Sequence, residues 1–248
     1  MGTERQTAVN KPGAETQRQM RPVRIPIGVA LDHPAASQGE SALEGNLTIP
    51  AGARGIVLFA HGSGSSRHSP RNRFVAEIVH DGGIATLLFD LLTREEETAD
   101  ERNGKWRFNI ELLAGRLVEA TRWMANQPEI KRLGVGYFGA STGGAAALVA
   151  ATQLGRAIDA VVLRGGRPDL AGDALERVRS ATLMIVGERD ETVLEFNQRA
   201  LHRMQCEREL KVIPRATHLF EEAGTLREVA HLATEWFNRH LRPRETRL

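Results

Sequence analysis

Three residues of this chain, a serine, an acid and a histidine, each follow their own apolar run. The run at residues 133–140, LGVGYFGA, leads into Ser141, Thr142 and Gly143 and then into the small-residue stretch AAALVAATQL. Gly139-Ala140-Ser141-Thr142-Gly143 is therefore a G-x-S-x-G pattern between a buried strand and a helix, the arrangement of a nucleophile elbow. A serine on so sharp a turn is held in strained backbone geometry. Side chains two residues before or after it would strike neighbouring backbone, and Gly139 and Gly143 remove them. Such a serine still needs a base, and the base needs an acid to orient it. In an open parallel sheet these groups belong in the loops after strand carboxyl ends. The apolar run 182–186 is followed by Glu188 and Asp190, and the run 210–213 is followed by His218. Asp190, just before the next helical pattern, is the preferred acid; Glu188 and Asp169 are the alternatives. His202, His231 and His240 fall on helical faces. The order Ser141, Asp190, His218, each after its own strand, is that of a hydrolytic triad.

Attack on a carbonyl places negative charge on one oxygen, which backbone N–H groups can hold. The N–H of Thr142, at the start of the helix, is one expected donor. The second should come from the loop after the run GIVLFA, namely His61-Gly62-Ser63-Gly64-Ser65-Ser66. Ser63 is the preferred donor, with Gly64 as the alternative and a candidate substrate contact. His61 is expected to brace this loop. Arg67, Arg71 and Arg167 could recognise an acidic substrate, although surface ion pairing is the ordinary role of such residues.

Two competing motifs fail on placement. Gly134, Gly136 and Gly139 spell a dinucleotide fingerprint, with Asp159 at about the spacing of a ribose-binding acid. Yet Gly134 and Gly136 lie inside the strand, and Asp159 precedes the next one. The GSGSS loop lacks the Gly-Lys-Ser/Thr ending of a phosphate-binding loop.

The elements that must position these groups alternate regularly. Apolar runs at 55–60, 85–89, 133–140, 160–163, 182–186 and 210–213 read as strands, most of them buried on both faces. Residues 24–31 and 43–48 read as an antiparallel pair at the sheet edge. Helical patterns lie between at 72–80, 108–125, 142–154, 174–178, 193–204 and 226–241. Residues 93–105, TREEETADERNGK, read as a charged loop that could cover the site, its Glu95-Glu96-Glu97 run forming a solvated face. Only one short helix fits within 164–180, so no cap is expected there. The pattern predicts an α/β fold: one domain over 23–242, a mostly parallel sheet of about eight strands, and helices on both faces. Residues 1–22 and 243–248 are expected to be tails.

With 248 residues and 41% hydrophobic content, one sizeable core is possible. The net charge of +2 is unevenly spread. Residues 1–24 carry five basic and two acidic side chains, and 239–248 carry four and one, so the body is acidic. No clustered basic stripe for nucleic acid is expected. The one cysteine, Cys206, permits no intrachain disulfide and no cysteine metal cluster, and falls in a helical pattern as a packing residue. No secretory or membrane-spanning apolar run is seen, so the expected location is the cytoplasm. The expectations are no metal, no cofactor, no nucleic-acid or membrane partner, and a small-molecule ester as substrate. Monomer and homodimer stay open.

Taken together, VLFAHGSGSS, GYFGASTGG, VGERDETV and ATHLF resemble the α/β-hydrolase superfamily, and within it the dienelactone hydrolase-like group. The resemblance spans about residues 24–241. It implies hydrolysis of carboxylic esters through an acyl-enzyme. The group is associated with a cysteine nucleophile, and this chain has Ser141, so lactone specificity does not carry over.

Overall fold

Five consecutive apolar runs make the centre of the sheet. Every residue is buried in β3 (Gly55–Ala60), β4 (Ala85–Phe89), β5 (Gly134–Ala140), β6 (Ala160–Arg164) and β7 (Ala181–Gly187). Strands apolar on both faces are stable only between two helical layers, and these strands have them. The computed structural model describes residues 20–28 and 41–244. The eight strands run in the order β1-β2-β4-β3-β5-β6-β7-β8, with β1 (Arg21–Pro26), β2 (Ala42–Thr48) and β8 (Arg208–Ile213) completing the set. β1, β2 and β4 are antiparallel neighbours; all pairs from β4 to β8 are parallel. Lys211 and Glu209, paired at 2.6 Å, lie on the exposed edge strand β8, where charge discourages further strand addition.

One face is covered by α3 (Ile110–Ala125), α4 (Thr142–Leu154), the 3-10 turns of residues 168–177 and α5 (Glu191–Arg203). The other is covered by α1 (Pro70–Asp81) and α6 (Thr225–His240). The first ten residues of α4, TGGAAALVAA, are all buried. Their small side chains allow this helix to sit centrally against both β5 and α3. The single-domain α/β architecture with a mostly parallel sheet is therefore as the sequence predicts. Residues 168–177 pack on α4 as two short turns kinked at Gly172, and no cap stands between β6 and β7.

Several boundaries differ. Residues 93–105 are not a loop: α2 (Arg94–Asn103) begins there with a capping box. Thr93 Oγ1 accepts from the Glu96 N–H at 3.2 Å, and Glu96 Oε2 accepts from the Thr93 N–H at 2.8 Å. Glu95 and Glu97 are exposed, but Glu96 is buried and pairs with the buried Arg116 at 2.6 Å, so the glutamate run is only partly a solvated face. Cys206 lies in the connector before β8, half-buried against the core, because α5 ends at Arg203. β1 begins at Arg21, and the part of its expected span beyond residue 28 lies outside the described residues. The expected amino-terminal tail, up to residue 19, and residues 245–248 also lie outside them. Arg244 is fastened to the body: its N–H donates to Arg132 O at 2.8 Å and its guanidinium meets Asp159 at 3.3 Å. Asp159 also accepts from the Val135 N–H at 2.9 Å, at the sheet edge opposite the carboxyl ends, so it is a structural clamp. Among the described residues no helix is long and apolar enough to cross a membrane.

Candidate active site

The elbow is held from several directions. Ser141 has φ 50° and ψ −122°, an unfavourable region for a residue with a side chain. Its N–H donates to Arg164 O at 3.3 Å, and its carbonyl accepts from Arg167 N–H at 3.1 Å and Gly144 N–H at 3.0 Å. The glycine requirement is steric. A Cβ on Gly139 would lie 2.5 Å from Gly144 Cα, and one on Gly143 would lie 2.2 Å from Ala60 O. Neither neighbour is a side chain that could swing away.

Asp190 and His218 meet across the loops after β7 and β8. His218 Nδ1 lies 2.6 Å from Asp190 Oδ2, which fixes the ring and leaves Nε2 as the nitrogen not engaged by that acid. The two loops cross closely: a Cβ on Gly187 would sit 2.4 Å from Ala216 O, and the Arg189 N–H donates to that carbonyl at 2.9 Å. The alternative acids are otherwise engaged. Glu188 accepts from Arg215 N–H at 2.7 Å, and Asp169 is held by Arg167 through two bonds of 2.8 and 2.7 Å. Ser141 is brought to the same sheet edge. Arg164, whose carbonyl takes the Ser141 N–H, is followed by Gly165, and a Cβ there would lie 3.2 Å from His218 Nδ1. The Ser141 hydroxyl makes no hydrogen bond to His218 among the described residues. Such bonds often tighten only with substrate bound. The His218 side chain is 39% exposed, so the site is open to solvent.

The two expected oxyanion donors adjoin each other, with one difference. Ser63 N–H donates to Thr142 Oγ1 at 2.9 Å, so this N–H is already engaged. The Thr142 hydroxyl thereby ties the loop of residues 61–66 to the elbow, a role that the sequence reading, concerned with the Thr142 backbone, missed. A Cβ on Gly62 would lie 3.2 Å from Ser141 Cβ, and Gly64, at φ 70°, forms the open tip of the turn. His61 braces the loop as expected. Its Nε2 accepts from Leu91 N–H at 3.1 Å, so the proton sits on Nδ1 and is donated to Gly62 O at 3.0 Å. Burial lowers its pKa, consistent with a neutral ring.

Beside this loop lies a cleft of about 220 Å³, lined among others by Ser63, Gly64, Leu91, Glu97, Glu101 and Arg107. Segment 93–105 thus reaches the neighbourhood of the site as a helix. Two expected substrate contacts are spent elsewhere. Arg67 donates its N–H to Asp90 at 2.7 Å, and its guanidinium bridges Asp90 and Glu44. Arg167 is paired with Asp169 and stacks on Phe196 at 4.8 Å. Arg67 is answered by carboxylates 23 residues away on either side, which local sequence could not indicate, whereas Arg167 takes Asp169, two residues on. The sequence reading missed Arg164, whose side chain is buried on the α1 side of β6. Burial and repulsion from Arg71 bring its pKa down to about 10, so it stays charged at neutral pH. The signal was a charge closing the apolar run VVLR. Among the described residues no cluster of acids, histidines and cysteine could hold a metal.

Residues 43–241 match the dienelactone hydrolase family. A dienelactone hydrolase from Anabaena variabilis is 55% identical, with 91% of this chain and 100% of that one covered and a TM-score of 0.84. An esterase from Pyrococcus furiosus shares the fold at 18% identity, covering 94% of this chain and 97% of its own, with a TM-score of 0.66. Putative phosphoribosyl transferases of two Mycobacterium tuberculosis strains are 59% identical over 203 residues, which is 82% of this chain and 45% of theirs. The chain thus spans about half the length of the curated relatives it matches. With the elbow, the crossing loops and the match over most of its length, the chain belongs to the dienelactone hydrolase family.

Proposed function

We propose that this hydrolase cleaves small or exposed carboxylic esters through an acyl-enzyme on Ser141. The observation that carries the reading is the 2.6 Å contact between His218 and Asp190 at the sheet edge where the strained Ser141 stands. Ser141 Oγ attacks the ester carbonyl carbon while His218 Nε2 takes its proton. The carbonyl oxygen becomes the oxyanion, held by Thr142 N–H and the Gly62–Gly64 loop; where Ser63 N–H serves, it exchanges its bond to the Thr142 hydroxyl for the stronger acceptor. The intermediate collapses, and His218 protonates the departing alcohol. Water, deprotonated by His218, then attacks the acyl carbon and restores Ser141. Asp190 holds the imidazole tautomer and stabilises its cationic form. The open site favours small or exposed esters, because it excludes little water from a long chain.

The test is a fluorophosphonate probe together with 4-nitrophenyl acetate. Wild-type protein should be labelled and release a burst of nitrophenol, and Ser141→Ala should do neither. Equal labelling of both would overturn the assignment. Lactones, thioesters, peptides and peracid formation use the same groups, and a substrate panel ranks them. The curated relatives carry a transferase name over proteins about twice the length matched here, whereas the hydrolase family match covers residues 43–241 of this chain.

A further inference from the structure

One buried amide ties the helix that follows the proposed acid to the loop that seats the proposed nucleophile. Asn197 lies on α5 and is fully buried. Its Nδ2 donates to Val193 O at 2.7 Å and to Gly166 O at 2.9 Å. Two carbonyls need two N–H donors, and the amide NH2 supplies both, so the orientation of the side chain is fixed. The consequence is a buried Oδ1 with no hydrogen-bond partner. The fold thus keeps a polar side chain at the cost of an orphaned acceptor, where a leucine of similar size would leave none. The bond to Val193 stays within the helix. The bond to Gly166 reaches a residue 31 positions away, in another element.

Gly166 is the middle residue of the loop 165–167 after β6, and this loop meets both the proposed nucleophile and the proposed base. On one side, a Cβ on Gly165 would lie 3.2 Å from His218 Nδ1. On the other, Arg167 N–H donates to Ser141 O at 3.1 Å. Gly166 also adjoins the elbow helix, because a Cβ on Gly144 would lie 3.1 Å from Gly166 Cα. Among the described residues no other side chain hydrogen-bonds the backbone of 165–167. α5 starts from Asp190, and Asp190, Val193 and Asn197 follow the i, i+3, i+7 spacing of one helix face. We propose that Asn197 is a positioning residue: by holding Gly166 against α5, it sets the spacing between the Asp190–His218 pair and Ser141. This rests on the hydrolase reading above. Asn197 acts through the loop and touches no reacting atom. A misplacement of about 1 Å at such a site costs about 10²-fold in rate.

The test uses two substitutions that separate the two bonds. Asn197→Leu removes both. In Asn197→Thr the hydroxyl still reaches Val193 O, four residues back, but is too short to hold Gly166 as well. Ser180→Ala is the control, since it removes a buried bond of 2.8 Å to Ile158 O at the opposite ends of β6 and β7. Hydrolysis of 4-nitrophenyl acetate is read as kcat per site, with sites counted by fluorophosphonate labelling carried to completion. Both Asn197 variants should lose about 10²-fold in kcat, with KM within about threefold of the wild type. The shape of their pH profile should be unchanged, because Asp190 still meets His218. Ser180→Ala should lower the thermal midpoint and keep kcat within about threefold. Should Asn197→Leu not fold, Asn197→Thr decides. A kcat within about threefold of the wild type in Asn197→Thr would overturn the positioning role alone. So would an equal loss of kcat in Ser180→Ala, which would trace the effect to stability. A wild type that neither hydrolyses the ester nor takes the probe at Ser141 would overturn the hydrolase reading, and the positioning role with it.

Discussion

Asp190→Asn separates an orienting acid from an ordinary loop residue. The change keeps size and shape but replaces one carboxylate oxygen with an NH2 group, or leaves a neutral oxygen facing His218. If the NH2 faces Nδ1, it donates to that nitrogen and forces the ring proton onto Nε2, the nitrogen that must accept from Ser141. If the oxygen faces it, the imidazolium loses its counter-charge at 2.6 Å. Among the described residues no other acid is placed to substitute: Glu188 is bonded to Arg215 N–H and Asp169 to Arg167. The full effect of a wrong tautomer should therefore appear, roughly 10⁴-fold in kcat, or about 5 kcal/mol of transition-state stabilisation. Steady-state hydrolysis of 4-nitrophenyl acetate, with the burst amplitude as active-site count, measures it. Glu188→Gln and Asp169→Asn are the controls and should each change kcat by less than about threefold. A loss below about tenfold in Asp190→Asn, or an equal loss in either control, would refute the assignment of the acid.

Two further expectations concern stability. Glu96→Ala should cost about 2–4 kcal/mol, because it removes the acceptor for Thr93 N–H and, among the described residues, leaves the buried Arg116 with Glu119 at 3.2 Å as its remaining acid. Urea unfolding should show a lower midpoint at unchanged slope, and Arg116→Met should recover part of the loss in the Glu96→Ala background. His61, whose pKa is lowered by burial, binds fewer protons folded than unfolded below pH 6.5, so stability falls as pH drops from 6.5, by up to about 1.4 kcal/mol per unit. Protonation would also put a hydrogen on Nε2 against Leu91 N–H. Urea midpoints between pH 7 and pH 5 should show a flatter acid limb for His61→Asn than for the wild type.

Much of this was legible because the parallel core writes itself as uninterrupted apolar runs, and because carboxyl-end loops are where an α/β sheet keeps its polar groups. Ser141, Asp190 and His218 each announce themselves by following such a run. α2 was hidden for a physical reason. Its ten residues, REEETADERN, have no apolar stripe, and it is secured by Glu96 and Asp100, the latter accepting from Trp106 N–H at 2.5 Å and pairing with Arg107. Hydrophobic periodicity cannot see a helix anchored by carboxylates, though Thr93 followed three residues later by Glu96 was the available mark. Arg164 is hidden because the apolar run ends at Leu163 while the strand runs one residue further. Which of several arginines is free could not be read locally, because Arg67 is answered by Glu44 and Asp90, both distant in sequence.

The strand order carries a timetable as well as a shape. From β5 outward to β6, β7 and β8, each strand joins the edge of one already synthesised, in the order in which the ribosome delivers them. Ser141 follows the central strand β5, Asp190 follows β7, and His218 comes only after the edge strand β8. On the proposed assignment, a chain synthesised only as far as the loop after β7 carries Ser141 and Asp190 but lacks His218, so the trio is complete only once the edge strand and its loop are made.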